Sequence, residues 1–263
     1  MSQNLKKVTL ITGASSGIGF ELSQIFAKNG HDLILIARSA DKLYLLADEL
    51  RNTYDIQVAS FANDLTKMSE LQYVVDAIKS EGAFIEYLVN NAGVGDYGEF
   101  ASQHWNKIDQ QINLNMKTLT YLCHAFVGDM KIKKRGQILN IASTAAFRPG
   151  PLMAVYFATK AYVLSLSEAL ANELKGTNVS VTAFCPGATE TNFAVQAQAT
   201  NSTLFRNKKL PSAKTVAEKA FEAMMGRKQV AVPGFMNNLL IFIQRFAPRK
   251  LVTNITRVLT SED

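Results

Sequence analysis

The sequence predicts an α/β fold in which a mostly parallel β-sheet is covered by helices on both faces. Short apolar runs typical of buried strands alternate along the chain with longer stretches of helical periodicity, as in parallel sheets. A glycine-rich turn between the first strand-like run and the first helical stretch is a second indication. The predicted strands lie at residues 8–12, 33–37, 57–61, 87–90, 137–141, 179–184 and 229–232.

The first predicted strand, Val8–Thr12, runs directly into the glycine-rich turn. Here Gly13 would permit a tight turn, Gly17 would let a pyrophosphate approach the backbone, and Gly19 would allow close helix–strand packing. The spacing is G-x-x-x-G-x-G rather than the commoner G-x-G-x-x-G, although the same physical roles apply. A Gly/Ser-rich turn without a ligand is the alternative interpretation. The helix that follows is predicted by apolar residues at helical spacing, Ile18, Leu22, Ile25 and Phe26.

Polar residues and glycines follow most of the predicted strands. Because crossovers between parallel strands are right-handed, the carboxyl ends of the strands lie along one edge of the sheet, where ligands bind. We therefore expect residues that are scattered through the sequence to converge on one cleft. The residues that follow strands are Gly13, Arg38, Asp64, Asn91, Ser143 and Pro186.

Three residues capable of acid–base chemistry follow the fifth predicted strand. Tyr156 and Lys160 are four positions apart, which puts both side chains on one face of a helix. A neighbouring ammonium group favours phenolate, so it would move the pKa of the phenol down from about 10 toward neutral pH. Ser143 lies at the strand end. An ordinary exposed helix face for the pair, and a strand-end cap for Ser143, are the alternatives.

Five motifs, in this order and approximate spacing, resemble the short-chain dehydrogenase/reductase family over about residues 5–235. They are T-G-A-S-S-G-I-G from Thr12, N-N-A-G from Asn90, Ser143, Y-x-x-x-K from Tyr156, and P-G from Pro186. The resemblance implies a doubly wound, seven-stranded Rossmann sheet, a nicotinamide cofactor, an oxidoreductase that transfers hydride, and a homodimer or homotetramer. A non-catalytic regulator that binds the cofactor is a competing function, but it would not need the three acid–base residues.

The resemblance also implies roles for single residues. Tyr156 would act as acid in carbonyl reduction and as base in alcohol oxidation, and Ser143 would hydrogen-bond the same oxygen. Lys160 would lower the pKa of Tyr156 and hold the nicotinamide ribose. Asn115 matches the fourth catalytic position, with Asn113 as a nearby rival. The implied cofactor-binding residues are Gly13, Ser15, Ser16, Gly17, Ile18, Gly19, Arg38, Asp64, Asn91, Ala92, Gly93, Tyr156, Lys160, Pro186, Gly187, Thr189 and Thr191.

The residue after the second predicted strand bears on the choice between NAD and NADP. An NAD-selective fold usually has a carboxylate there for the ribose 2′-hydroxyl, whereas this chain has Arg38, which can pair with a 2′-phosphate. We therefore expect NADP(H); a solvated surface Arg is the alternative. Asp64 resembles the family's adenine-contacting acid, but it would equally cap the helix that begins near Thr66. Thr189 and Thr191 would either meet the nicotinamide or cap the next segment.

The predicted substrate pocket is mostly apolar. It suggests a small-molecule substrate that is a hydrophobic ketone or secondary alcohol, with residues 192–210 as a lid. The same side chains would be found in ordinary packing, and Met153 is more often a filler of core gaps. The candidate wall residues are Val94, Tyr97, Ala145, Phe147, Met153 and Phe193.

Size and composition fit one catalytic domain over residues 1–235 with a helical tail over residues 236–263, in a chain of 263 residues. Cys123 and Cys185 provide neither a disulfide framework nor a metal site, so a reducing, cytoplasmic setting is expected. We find no signal segment and no apolar run long enough to span a bilayer.

The net charge of +6 is concentrated at the end of the chain, because six basic and two acidic residues follow Gly226. No nucleic-acid-binding motif accompanies this charge, so nucleic acid is not an expected partner. An apolar run over residues 235–243 precedes the clustered bases Arg245, Arg249 and Lys250. We expect this tail to pack on the domain or on a partner subunit; weak contact with a membrane surface, as in a peripheral lipid or steroid reductase, is the alternative.

Overall fold

The computed structural model describes residues 8–206 and 209–262, and within them all seven predicted strands are present, with ends within two residues of those expected. Every neighbouring pair is parallel, and the strands lie side by side in the order β3-β2-β1-β4-β5-β6-β7. The prediction of a doubly wound α/β fold is confirmed. The strands are β1 Val8–Thr12, β2 Asp32–Ala37, β3 Val58–Ala62, β4 Ile85–Asn90, β5 Gly136–Ile141, β6 Val179–Phe184 and β7 Val230–Ala231.

Helices cover both faces of this sheet. Successive residues of a strand point to opposite faces, and accordingly Leu10 and Ile11 of β1 belong to two different apolar clusters. The cluster of Leu10 includes residues of α3, α5 and α6, while the cluster of Ile11 includes residues of α1, α2 and α8. The helices are α1 Gly17–Lys28, α2 Ala40–Tyr54, α3 Met68–Ser80, α4 Trp105–Ile112, α5 Leu119–Lys133, α6 Ala154–Glu173, α7 Phe193–Gln196, α8 Ala213–Met225, α9 Phe235–Gln244 and α10 Arg249–Thr260.

The strand order reverses between β1 and β4. From β1 the chain moves outward to β2 and β3, then returns to place β4 on the other side of β1. At such a reversal the crossover helices diverge to opposite faces and leave a crevice outside the carboxyl ends of the strands, where ligands bind. The fold therefore places the glycine-rich turn after β1 and the N-N-A-G segment after β4 on either side of one crevice.

The C-terminal helices α9 and α10 contact the rest of the chain near the end of β5. Gln244 Nε2 donates to the carbonyl oxygen of Phe147 at 3.3 Å, and Thr260 Oγ1 donates to that of Pro151 at 2.9 Å. The proposed domain boundary at residue 235 stays a prediction. Across residues 8–206 and 209–262 no helix has the length and apolar character needed to cross a membrane.

Candidate active site

The glycine-rich turn has the backbone shape that the sequence predicts. Gly13 and Gly17 have φ angles of 67° and 57°, in the left-handed region that favours glycine. A Cβ on Gly19 would overlap the carbonyl oxygen of Gly13 and the side-chain amide of Asn91. Ser16, the N-cap residue of α1, makes no capping bond with its side chain, so the first N–H groups of the helix stay available to an anion. The turn therefore fits the pyrophosphate of a dinucleotide.

Thr12 and Asn91 tie the two sides of the crevice together. Thr12 Oγ1 accepts hydrogen bonds from the backbone N–H groups of Asn91 and Ala92, both at 3.0 Å. In return, Asn91 Nδ2 donates to the carbonyl oxygen of Thr12 at 2.9 Å. The Asn90 side chain takes no part in these bonds. Its buried amide instead donates to Asn140 Oδ1 at 2.8 Å within the core. These bonds fix the distance between the turn after β1 and the end of β4.

Two cations line the cleft where β2 ends. Arg38 is exposed and, among the residues that the structure describes, it has no hydrogen-bond or ion-pair partner. Lys42, in the first turn of α2, lines the cleft with it, and sequence reasoning missed this residue although it lies four positions after Arg38. Asp64 also lines the cleft, but its carboxylate accepts from Thr66 N at 3.1 Å and Thr66 Oγ1 at 2.8 Å. Asp64 thus caps a local turn rather than the helix itself, which begins at Met68 with Lys67 as its N-cap residue, and its contact with an adenine stays a prediction.

Ser143, Tyr156 and Lys160 line the other half of the same cleft. Ser143 caps a short 3₁₀ turn, Thr144–Phe147, where its Oγ accepts from Ala145 N at 3.1 Å. Both Tyr156 and Lys160 lie on α6, and Lys160 Nζ is 5.8 Å from the centroid of the Tyr156 ring. The Lys160 ammonium is buried and donates to the carbonyl oxygen of Ile141 at 2.8 Å. Tyr156 and Lys160 therefore lie on one helix with their side chains close together, as their spacing in the sequence predicted.

Burial sets the acid–base properties of the pair. It raises the pKa of Tyr156 to about 12, and the hydrogen bond with Ser143 offsets only part of this rise. This direction is opposite to the lowering expected from Lys160 on sequence grounds, because burial removes the water that would solvate the phenolate. Burial also lowers the pKa of Lys160 to about 8. At neutral pH the phenol is consequently protonated and the amine still mostly charged.

Asn115, rather than its rival Asn113, lies directly behind the cleft wall. A π-helical turn over Asn113–Thr118 directs the Asn115 side chain inward, where Oδ1 accepts from Val94 N at 2.9 Å. Its Nδ2 donates to the Val94 carbonyl oxygen at 2.8 Å and to Thr159 Oγ1 at 3.0 Å. By contrast, Asn113 Nδ2 bonds Asp109 on the exposed side of the helix. The part of Asn115 in a proton relay stays a prediction.

The segment after β6 forms another wall of the cleft. Pro186, Gly187, Thr189 and Thr191 all line the cleft. Thr191 Oγ1 accepts from Phe193 N at 3.2 Å and so caps α7, while Thr189 Oγ1 donates to the Gly187 carbonyl oxygen at 3.0 Å. Both threonines thus have local bonds, of which only that of Thr191 involves the segment that follows, and contact of either with the nicotinamide stays a prediction.

The substrate candidates divide into two groups. Met153 and Phe193 line the cleft, and the Phe193 ring lies 5.0 Å from that of Tyr156. Tyr97 packs against the cluster of Met153 and Phe157 without lining the cleft, and Phe147 instead packs against the core cluster on one face of the sheet. Within the predicted lid, Asn192, Phe193, Gln196, Leu204 and Phe205 line the cleft, and residues 207–208 lie outside the described residues.

The cleft has a volume of about 320 Å³ and extends from the end of β2 to the lid. Most of the predicted cofactor residues line it; Gly19 packs behind it and Asn115 supports it through Val94. Sequence reasoning missed Arg148, which lines the cleft at the end of the 3₁₀ turn that Ser143 begins. The arrangement offers phosphate-binding groups at one end and an acid with a hydroxyl partner at the other.

Comparison with known proteins agrees with this geometry. A solved short-chain dehydrogenase from Sphingobium yanoikuyae in complex with NADPH is 33% identical, with a TM-score of 0.82 over 91% of this chain and 94% of that one. A bulky-bulky ketone specific alcohol dehydrogenase from Comamonas testosteroni is 30% identical, with a TM-score of 0.78 over 92% and 94%. The 7beta-hydroxysteroid dehydrogenase of Collinsella aerofaciens is 29% identical over 69% of this chain and 68% of its own.

The sequence profile of the short chain dehydrogenases matches residues 7–202, which is most of the chain. Within that range lie the glycine-rich turn, the strand ends of the crevice and the Ser143, Tyr156 and Lys160 cluster. The chain therefore belongs to the short-chain dehydrogenase/reductase family of oxidoreductases.

Proposed function

We propose that the protein is an NADP(H)-dependent oxidoreductase that interconverts a hydrophobic ketone and its secondary alcohol, with Tyr156 as the general acid or base. The observation that carries the proposal is the pairing, in one cleft, of the Arg38 and Lys42 cations with the Ser143, Tyr156 and Lys160 cluster. Intact acid–base residues favour this function over a non-catalytic regulator. A cytoplasmic location stays a prediction.

The residues of the chain supply the proton and orient the substrate. NADPH, when bound, supplies the hydride. In reduction Tyr156, which is protonated at neutral pH because burial raises its pKa to about 12, gives its proton to the carbonyl oxygen. The charged Lys160 then stabilises the phenolate that remains. In alcohol oxidation, Tyr156 acts in the reverse sense as the base.

Ser143 is prepared to donate a hydrogen bond to the same oxygen. Its Oγ already accepts from Ala145 N, which directs its own proton elsewhere. Its contact with the carbonyl oxygen of Pro186 is long, 3.4 Å, and the hydroxyl also bonds the Tyr156 phenol. A substrate oxygen is a better acceptor, so it would replace this contact and be held beside Tyr156.

The apolar lining near Tyr156 supports a bulky, hydrophobic substrate. Met153, Phe157 and Phe193 line this half of the cleft, together with Leu204 and Phe205 of the lid. The ketone-specific and hydroxysteroid-specific relatives, by their names, act on bulky carbonyl compounds or alcohols. Their similarity to this chain supports the same broad substrate class here.

Replacing Arg38 with Ala tests the cofactor preference. Without the guanidinium a 2′-phosphate loses a charge-assisted hydrogen bond, so kcat/KM for NADPH should fall about 10- to 100-fold while that for NADH changes little. Steady-state kinetics with both cofactors measures this, and Lys79→Ala, on an exposed face of α3, is the matched control. A wild-type enzyme that prefers NADH would contradict the NADP assignment.

A second candidate function concerns the tail, for which we propose contact with an anionic lipid surface. Helix α9 exposes a large apolar surface, with Phe235, Met236, Phe242 and Ile243 more than half exposed, and Phe246 follows at 77%. Arg245, Arg249 and Lys250 lie beside this surface, and no acidic residue occurs between residues 223 and 261. Exposed apolar side chains with basic residues beside them, and no acidic residues, are typical of helices that lie in a membrane interface.

Vesicle flotation tests this contact against self-association. The full chain should float with phosphatidylglycerol vesicles and much less with phosphatidylcholine vesicles, because the bases attract anionic headgroups. Phe242→Glu should abolish flotation, whereas Ile132→Ser, at an exposed position of α5, should not. If Phe242→Glu instead shifts the sedimentation of the protein from a larger to a smaller species, the surface faces a second copy of the chain and the lipid proposal is wrong.

A further inference from the structure

Among the described residues, four cationic side chains and one acidic side chain line the cleft, and one of the four cations has no role in the proposed function. Arg38 and Lys42 lie at the end expected for a 2′-phosphate, and Lys160 is bonded to Ile141 beside Tyr156. The acidic side chain, Asp64, is held by Thr66. The remaining cation is Arg148.

Arg148 is held in the cleft wall without a partner. It is partly buried, and its Nε is shielded from solvent with no hydrogen-bond partner; the described residues give its guanidinium no ion pair either. Burial also lowers the pKa of Arg148. Leaving the Nε–H of a guanidinium desolvated and unpaired costs free energy, which a bound anion would recover.

The position of Arg148 in the fold separates it from the end of the cleft expected for the cofactor's 2′-phosphate. Arg148 follows β5, whereas Arg38 follows β2, and two strands, β1 and β4, lie between them. Three strand spacings of about 4.8 Å put these sheet positions about 14 Å apart. Arg148 instead ends the short turn that Ser143 begins, and it lines the same cleft as Met153 and Phe157.

We propose that Arg148 binds a carboxylate of the substrate, so that the preferred substrate is a hydrophobic ketone or secondary alcohol that also carries a carboxylate. This inference rests on the proposed oxidoreductase function and narrows its substrate class. A guanidinium pairs with a carboxylate through two parallel hydrogen bonds, which fix orientation as well as affinity. The carboxylate on Arg148 and the carbonyl oxygen on Ser143 and Tyr156 would then hold the substrate at two points.

Matched acids and esters test the proposal. The probes are benzoylpropionate and benzoylbutyrate with their methyl esters, assayed with NADPH. The wild-type enzyme should prefer at least one acid over its ester, and Arg148→Gln should lower kcat/KM for that acid about 10- to 100-fold, mainly through KM, with little effect on the ester. Arg148→Lys should retain part of the preference, and Lys131→Gln, exposed on α5, is the control.

A binding measurement separates this proposal from the proposed function. Calorimetry of the same acids and esters on the NADPH-loaded Tyr156→Phe variant, with and without Arg148→Gln, reports carboxylate recognition without turnover. Tighter binding of acid than ester that requires Arg148 supports the carboxylate site even if no ketone is reduced. Equal binding of acid and ester, or an Arg148→Gln variant that loses NADPH binding instead, overturns it.

Discussion

Replacing Tyr156 with Phe should lower kcat for ketone reduction by about 100- to 10,000-fold, the range typical of a lost general acid. Phe keeps the ring that packs against Phe193 and Phe157, at 5.0 and 6.1 Å between ring centroids, so the cleft should keep its shape. Only the proton donor is removed. Single-turnover kinetics with saturating NADPH measures the chemical step directly.

The control for this prediction is cofactor affinity. NADPH binding, followed by the change in its fluorescence, should be nearly unchanged in Tyr156→Phe, which would place the defect in proton transfer. Phe157→Leu, a neighbouring change that leaves the phenol in place, should reduce activity far less. Turnover at the wild-type level in Tyr156→Phe would show that another group supplies the proton.

Replacing Gly19 with Ala should both destabilise the protein and abolish tight NADPH binding. The new Cβ would overlap the Gly13 carbonyl oxygen and Asn91 Nδ2, so the turn after β1 has to move away from the end of β4. Forcing an extra methyl group into such a packed site costs about 1–3 kcal/mol of unfolding free energy. The displaced turn would also lose the backbone arrangement that receives a pyrophosphate. Urea denaturation and NADPH titration measure the two effects.

Gly128→Ala is the matched control for this substitution. Gly128 lies on an exposed face of α5, and a Cβ there would meet no atom within 4 Å. Alanine is favoured over glycine in a helix, so this variant should be as stable as the wild type or more stable by about 0.5–1 kcal/mol. Equal stability and equal NADPH affinity in Gly19→Ala would contradict the packing described for the turn.

The sheet was predictable because its central strands are buried on both faces. Continuous apolar runs such as those of β1 and β2 allow few other structures, and the glycine-rich turn marks the position of the first crossover. Such local patterns do not predict the strand order, because the order depends on which helix covers which face of the sheet. It was expected only from the family resemblance.

The candidate site was predictable where the chemistry requires particular residues at fixed spacing. Tyr156 and Lys160 share a helix face for this reason, and Ser143 follows a strand. The direction in which the pKa of Tyr156 shifts was not predictable from the sequence, because it depends on how deeply the folded chain buries the phenol. Likewise Phe147 and Arg148 are adjacent in sequence, yet only the path of the 3₁₀ turn decides that Arg148 lines the cleft and Phe147 does not.

The most direct test of hydride transfer at this site uses NADPH carrying deuterium at both C4 positions of its nicotinamide. Purified protein is incubated with this NADPH and a panel of hydrophobic ketones and keto acids, and the products are examined by mass spectrometry and NMR. We predict alcohol products with one deuterium on the former carbonyl carbon, formed by the wild type and lost in Tyr156→Phe. Failure to consume NADPH with any member of the panel, by folded protein that binds NADPH, would contradict the proposed function.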